Sequence, residues 1–304
     1  AFKPFAYTAA IDNGYPPTYR LLNQDVVVNL PNGQRWAPEN YDHSRGGLTT
    51  LREGLQRSLN LVTVRLAQEV VRISDVARYA HQMGISTRLD EVDALVLGSC
   101  GVIPLELTAA FGSYANHGVL CEPYGIQRIV KGAGDVLFEQ IPRRKVALSE
   151  ATAYIMTDML RSVVDHGTAA ATRSVYNFRR PAAGKTGTTN DFTDGWFVGF
   201  TPQLVAGVWV GLDDPAISLG EGMSGARVAL PIWANFMRMA YDSLGWEEVD
   251  FQMPEGVVRM DVCAESFQKA RESCPAVISE VFRVDDAPME ECPIHVGFSR
   301  RGRW

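Results

Sequence analysis

Three separated stretches carry side chains suited to proton transfer around a hydroxyl group: Lys3, then Ser58-Leu59-Asn60, then Lys185-Thr186-Gly187-Thr188-Thr189. A lysine can take a proton from a hydroxyl only while it is itself neutral. Burial disfavours its charged form, and a second cation nearby does so further. Gly184-Lys185-Thr186 also resembles the end of a phosphate loop. That pattern requires a glycine five residues before Gly184, where Arg179 stands instead. Gly187-Thr188-Thr189-Asn190-Asp191 does not open a helix whose N-terminus could hold phosphate, so nucleotide binding is excluded. Taken alone, the Lys-Thr-Gly segment reads as a strand edge with threonines, and a Ser-x-Asn tripeptide is uninformative. Their order and flanks give them weight.

The elements that must position these residues are legible in part. Thr50 and Glu53 have the capping-box form, which predicts a helix over 51–57. A second helix is expected over 61–71, with Val64, Leu66, Ala67 and Val70 inward, so that Ser58-Leu59-Asn60 falls between the two. Ser74 is read as the cap of a further helix with Val76, Tyr79, Ala80 and Met83 as its apolar face and Gly84 as its stop. Pro104 starts another that Gly118 ends. Ser149 opens the clearest one, where Ile155, Met156, Met159, Leu160, Val163 and Val164 form one face and Gly167 closes it. Strand signals over 126–130 and 136–139, joined through 132–135, predict a hairpin. A second hairpin is expected from 195–200 and 204–211, turning at Thr201-Pro202-Gln203, and a strand over 182–188 would carry Lys185. Trp196, Phe197 and Trp209 read as sheet packing. Helices first and hairpins afterwards argue for α+β with an antiparallel sheet.

Composition is that of an ordinary globular protein, 46% hydrophobic and 21% charged over 304 residues. The net charge of −6 gives no reason to expect a nucleic-acid partner. Arg143-Arg144-Lys145 reads as a solvated loop. The longest apolar stretch, 204–212, is about half the roughly 20 residues a membrane span requires. Polar and cysteine-bearing residues dominate after Trp246. A boundary is therefore expected near 250, dividing the chain into 1–250 and a small cysteine-containing extension, 251–304. Three of the five cysteines lie there, and with His295 they read C-x10-C-x17-C-x2-H. Zinc ligation is one reading, but the paired knuckles of a structural site are absent. A disulfide or reduced thiols are the favoured alternatives, with export favouring the disulfide. The histidines His43, His81, His117, His166 and His295 are scattered and form no Ser-His-Asp pattern.

Ser-x-x-Lys, Ser-x-Asn and Lys-Thr-Gly elements occur together in penicillin-binding proteins and class A β-lactamases. With its flanks, the sequence resembles class A penicillin-binding proteins over about residues 1–240 and more loosely beyond. The likeness is carried by 1–14, which opens Ala1-Phe2-Lys3-Pro4, by 48–60 and by 104–111. It continues through 156–161, Gly167-Thr168-Ala169, 183–191, 194–202 and 229–237.

The resemblance implies a DD-peptidase or β-lactamase-like transpeptidase fold, with a central antiparallel sheet flanked by helices and an all-helical subdomain. It places the nucleophilic serine immediately before Ala1, three residues ahead of Lys3. It implies Lys3 as general base, Ser58 as proton relay, Lys185 as its electrostatic partner and Asn60 as the group that orients base and substrate. Thr186, Gly187, Thr188 and Thr189 would bind the donor peptide, and the backbone N–H of Thr188 would join that of the serine as an oxyanion hole. The implied activity is DD-transpeptidation: D-Ala-D-Ala stem peptides are crosslinked to an amine acceptor through an acyl-serine, which β-lactams intercept, with no metal or organic cofactor. An upstream glycosyltransferase domain, a membrane anchor and an extracytoplasmic location are implied too. The alternatives are a β-lactamase-like hydrolase or a non-catalytic β-lactam sensor. Against the first, no Glu-x-x-Leu-Asn-like segment lies between Asn60 and Lys185.

Overall fold

A run of apolar residues with no polar face must be buried on all sides, and Pro4–Asp12 (α1) is such a run: every residue from Pro4 to Ile11 is buried. In the computed structural model, which describes residues 1–29, 33–132, 134–189, 191–214 and 216–297, α1 forms the centre of the helical part. Around it pack Leu51–Gln56 (α2), Asn60–Glu69 (α3), Ile73–Gln82 (α4) and, after Pro104–Ala115 (α5), the long helix Glu150–His166 (α6). Short helices Ala171–Ser174 (α7) and Gly225–Val228 (α8) precede Leu230–Leu244 (α9).

The caps follow the sequence signals closely. Thr50 Oγ1 accepts from the Glu53 amide at 3.1 Å, and Ser149 Oγ accepts from the Thr152 amide at 3.1 Å. Replacing Ser149 with alanine leaves a helix-terminal N–H unsatisfied. It should destabilise the fold by about 0.5–2 kcal/mol, read as a lower thermal midpoint. Helix α3 begins at Asn60 and ends at Glu69, where 61–71 was expected, and two further boundaries differ. Ser74 lies inside α4, because Arg72 occupies the cap and its ion pair with Asp75 at 3.0 Å secures the first turn. Helix α5 ends at Ala115, and Gly118 follows in a left-handed turn, φ +84°, packed against the Leu148 carbonyl.

The central sheet has three antiparallel strands, in the order Val205–Gly211, Asp194–Phe200, Ala183–Thr188. Gly195 pairs with Thr188 and Phe200 with Ala183, so the Lys-Thr-Gly strand lies at an edge. Alternation decides which helices cover which face. Phe200 meets Phe111 and Tyr114 of α5, whereas Phe197 meets Trp233 of α9, with ring centroids 5.0 Å apart. Gly199 makes the latter contact possible: a Cβ there would stand 2.8 Å from the Trp233 ring. Trp233 Nε1 donates to the carbonyls of Gly199 and Ala206 at 3.2 and 3.1 Å, which ties α9 to two strands.

The expected hairpin over 126–130 and 136–139 is present as Arg128–Val130 paired with Val136–Glu139, and Ala133 of its turn lies outside the described residues. Arg144–Val146 is not a loop. It forms a short exposed strand against Val119–Cys121, a pairing across a long insertion that no local pattern announces. Arg20–Leu22 with Leu48–Thr50, and Val28–Asn29 with Arg35–Trp36, are likewise too short to be read from sequence.

The C-terminal segment is a hairpin of Val257–Cys263 and Val277–Arg283. Val257 and Val281 join the main core. Two ionic clusters add to this contact. Arg52 of α2 donates from Nε to Glu280 at 2.7 Å and from Nη2 to Asp158 of α6 at 2.6 Å. Arg283 reaches Asp12 at the end of α1 at 3.0 Å.

Candidate active site

The helices α2 and α3 are joined by Arg57, Ser58 and Leu59, and the turn is tight enough to place Ser58 at φ +58°. That left-handed conformation is uncommon for a residue with a Cβ and costs on the order of 1 kcal/mol. The backbone is held there by the Ser58 amide on Leu55 O at 3.1 Å and the Leu59 amide on Gly54 O at 2.9 Å. The strained turn points the serine hydroxyl between two lysines. Lys3 Nζ lies 3.1 Å from Ser58 Oγ, and Lys185 Nζ lies 2.8 Å from it on the other side.

Each lysine is fixed by its element. Lys3 stands at the start of α1, ahead of Pro4 at the first helical position, where a missing N–H costs nothing. Its amine also donates to the Ser58 carbonyl and, at 2.6 Å, to Asn60 Oδ1. Asn60 opens α3 and donates from Nδ2 to the Glu39 carbonyl at 2.6 Å, which fixes the amide's orientation. Lys185 shares its side of the sheet with Val198, the face covered by α5 and α6, and donates to Thr186 O at 3.1 Å.

Both amines are buried, Lys3 at 8% exposure and Lys185 at 1%. No carboxylate is hydrogen-bonded to either among the described residues. Desolvation pushes the Lys185 ammonium down to about 7. Desolvation lowers Lys3 well below the usual lysine range, and the Lys185 charge lowers it further. The arrangement can hold a neutral amine beside a charged one, with a hydroxyl bridging them.

The edge strand closes the site. A Cβ on Gly187 would stand 2.4 Å from the backbone nitrogen of Ala1, so the glycine lets the start of the chain press against the Lys-Thr-Gly strand. Thr186 is buried, with its hydroxyl 2.8 Å from that of Thr168. Thr188 is exposed and accepts from the Gly225 amide at 3.0 Å. Thr189 stands apart. Its hydroxyl accepts from the amides of Thr193 and Asp194 at 2.9 and 3.0 Å, organising the loop beyond the strand. Asn190 lies outside the described residues.

Of the residues singled out in the sequence, Lys3, Ser58, Asn60 and Lys185 meet in one cluster, and Thr186, Gly187 and Thr188 line the strand beside it. Three contributors were not anticipated in this role. Thr168 supports Thr186, Glu39 orients Asn60, and Asn40 Oδ1 accepts from the Leu61 amide at 3.1 Å at the start of α3. Thr168 had a signal in the Gly167-Thr168-Ala169 stretch. Glu39 acts through its carbonyl, which no side-chain pattern reveals.

Residues 1–238 match the family described as the penicillin-binding protein transpeptidase domain, and residues 253–297 match the C-terminal domain of penicillin-binding protein 1A. Penicillin-binding protein 1A of Aquifex aeolicus is 37% identical over 278 residues, covering 91% of this chain and 37% of the relative. That of Pseudomonas aeruginosa is 31% identical over 341 residues, covering 95% of this chain and 41% of its own length. The chain therefore spans well under half of these relatives. Among solved structures, penicillin-binding protein 1A from Haemophilus influenzae superposes with a TM-score of 0.88 at 25% identity, over 96% of this chain and 48% of that one. PonA1 from Mycobacterium tuberculosis in complex with penicillin V gives 0.71 at 26% identity, over 83% and 70%. With the lysine-flanked serine, the Lys-Thr-Gly edge strand and a family match over most of its length, this chain belongs to the penicillin-binding protein transpeptidase family, in its class A branch.

Proposed function

We propose that the protein is a serine-type DD-transpeptidase of peptidoglycan synthesis. One observation carries this reading: Ser58 Oγ sits 3.1 Å from Lys3 Nζ and 2.8 Å from Lys185 Nζ, beside an open strand edge. The family motif puts the nucleophilic serine immediately before Ala1, and the contact of Ala1 with Gly187 brings that position against the edge strand. Neutral Lys3 takes the serine proton as the oxygen attacks the penultimate D-alanine carbonyl of a D-Ala-D-Ala stem peptide. The Thr188 and serine N–H groups stabilise the resulting oxyanion. Ser58 relays a proton to the departing D-alanine nitrogen, with Lys185 polarising its hydroxyl. Asn60 holds both Lys3 and the donor amide in line. The donor lies along the edge strand, and Thr186 and Thr188 meet its terminal carboxylate. An amine from a second stem peptide then resolves the acyl-serine, forming the crosslink and freeing the enzyme. β-Lactams follow the first half of this course.

The relatives' greater length fits an upstream glycosyltransferase domain and a membrane anchor, as the class A likeness implies. No described helix is long and apolar enough to cross a membrane. Residues 251–304 form a second unit in this reading, supported by the separate family match over 253–297. The substrate is extracytoplasmic, and so is this part of the protein.

The test uses the full-length protein, in which the family motif calls for a serine immediately before Ala1. Incubation with a fluorescent penicillin should give one covalent adduct per chain by intact mass, with slow release. Stem peptide plus amine should yield a crosslinked product and free D-alanine. Rapid multiple turnover of nitrocefin would instead mean a hydrolase, and the absence of any adduct would mean no serine acylation at all.

A further inference from the structure

At the end of the C-terminal hairpin where Cys263 pairs with Val277, four side chains from three separate stretches meet. They are Cys263 at the end of the first strand, Cys274 in the following turn, and Cys292 and His295 after the second. The three sulfurs and an imidazole nitrogen all lie within 4.8 Å of one another. His295 Nδ1 stands 3.4 Å from Cys263 Sγ and 3.3 Å from Cys292 Sγ. Around one tetrahedral zinc ion with Zn–S of about 2.3 Å and Zn–N of about 2.0 Å, neighbouring ligand atoms stand about 3.5–3.8 Å apart. We propose that Cys263, Cys274, Cys292 and His295 form a structural zinc site that pins the tail of the protein.

The surroundings fit this assignment. His295 turns its other ring nitrogen, Nε2, toward the Glu265 carboxylate at 3.6 Å, the outer partner that a zinc-bound histidine ordinarily has. The Arg271 amide donates to Cys274 Sγ at 3.3 Å, as amides do to metal-bound thiolates. The backbone is drawn in around the ligands: Cys292 N donates to Lys269 O, and Cys263 N to Gln268 O, both at 2.9 Å. Soft sulfur and imidazole donors in a closed set of four select zinc over the hard cations.

A disulfide accounts for less of the geometry. It would join two of three thiols, strand the third at the same point and leave His295 without a role, and all five cysteines are free. The site also answers a packing need. Val277, Ile278 and Ser279 of the second strand are exposed, and Val262 and Cys263 opposite them, though buried, lie outside the main core, so this end of the hairpin has only a small local cluster to hold it. Small units of that kind rely on cross-links or metals. The sequence spacing hid the site because its ligands do not come in paired knuckles. Strand pairing of Val257–Cys263 with Val277–Arg283 brings them together instead.

The experiment measures zinc by elemental analysis in the full-length protein, after loading with one equivalent of zinc and passage over a chelating resin. Wild type and the Cys121→Ser control, whose thiol is exposed elsewhere, should retain one zinc per chain, and Cys274→Ser should lose it. Should Cys274→Ser fail to fold, wild type loaded with cobalt alone still decides the matter, through the thiolate-to-cobalt charge-transfer band of a tetrahedral site. No retained zinc in wild type, no such band, or an intact mass two hydrogens low from a disulfide each overturns the assignment. Zinc that persists in folded Cys274→Ser does so as well.

Discussion

Lys3→Arg should slow acylation by a penicillin about 10²–10⁴-fold at neutral pH, the range spanned by loss of a general base. Arginine keeps a cation at the start of α1 but cannot be deprotonated in a protein. It would leave the serine proton without an acceptor and place a second fixed charge beside Lys185. The pH profile separates this from simple misfolding. In the wild type the rate should rise with pH as Lys3 loses its proton, at a pH well below the usual lysine range. It should fall again as Lys185, lowered to about 7, loses its own. The two limbs belong to the pair and describe a bell. In the variant the acid limb should vanish along with most of the rate. Stopped-flow acylation across pH provides the measurement, and near-normal rates with an intact acid limb would remove Lys3 from the role of base.

Arg52→Met should destabilise the fold strongly, although it lies outside the candidate site. Arg52 is the shared partner of Glu280, which is 2% exposed, and of Asp158. Burial pushes the Asp158 carboxyl up, and the guanidinium groups of Arg52 and Arg259 more than offset it, holding it below the usual carboxylate range. Without Arg52, Glu280 keeps its hydrogen bond from the Val281 amide at 2.8 Å but loses its counter-charge. Breaking such a buried pair from one side costs about 3–5 kcal/mol. Denaturant titration should show that loss. It should be larger than the loss in Arg45→Met, whose ion pairs with Asp25 and Glu39 are exposed. Equal effects would mean that the C-terminal hairpin does not depend on this station.

The residues of the candidate site were legible because nucleophilic chemistry leaves few choices of side chain, and the structure brings Lys3, Ser58, Asn60 and Lys185 into one cluster. The helices were legible where a local signal sets the boundary, as Ser149 does for α6 and Thr50 for α2. The reading failed where a boundary rests on something other than a cap. Arg72 and Asp75 start α4 by an ion pair, so Ser74 misled. Strands such as Arg144–Val146 exist only through a distant partner, and three exposed residues carry no alternation to read. The burial of the lysines was foreseeable only in principle, because that of Lys3 depends on α1 being enclosed by α2, α3, α4 and α6, and that of Lys185 on the helices that cover its face of the sheet. The cysteine cluster was visible as a composition but not as a shape.

The left-handed turn at Ser58 also limits what natural variation can do at that position. Glycine, asparagine and aspartate tolerate such a conformation but lack the alcohol. Threonine has the alcohol, but its branched Cβ fits poorly at positive φ. Serine alone meets both demands of the proposed proton relay, which leaves almost no exchange at position 58 that keeps both the turn and the hydroxyl.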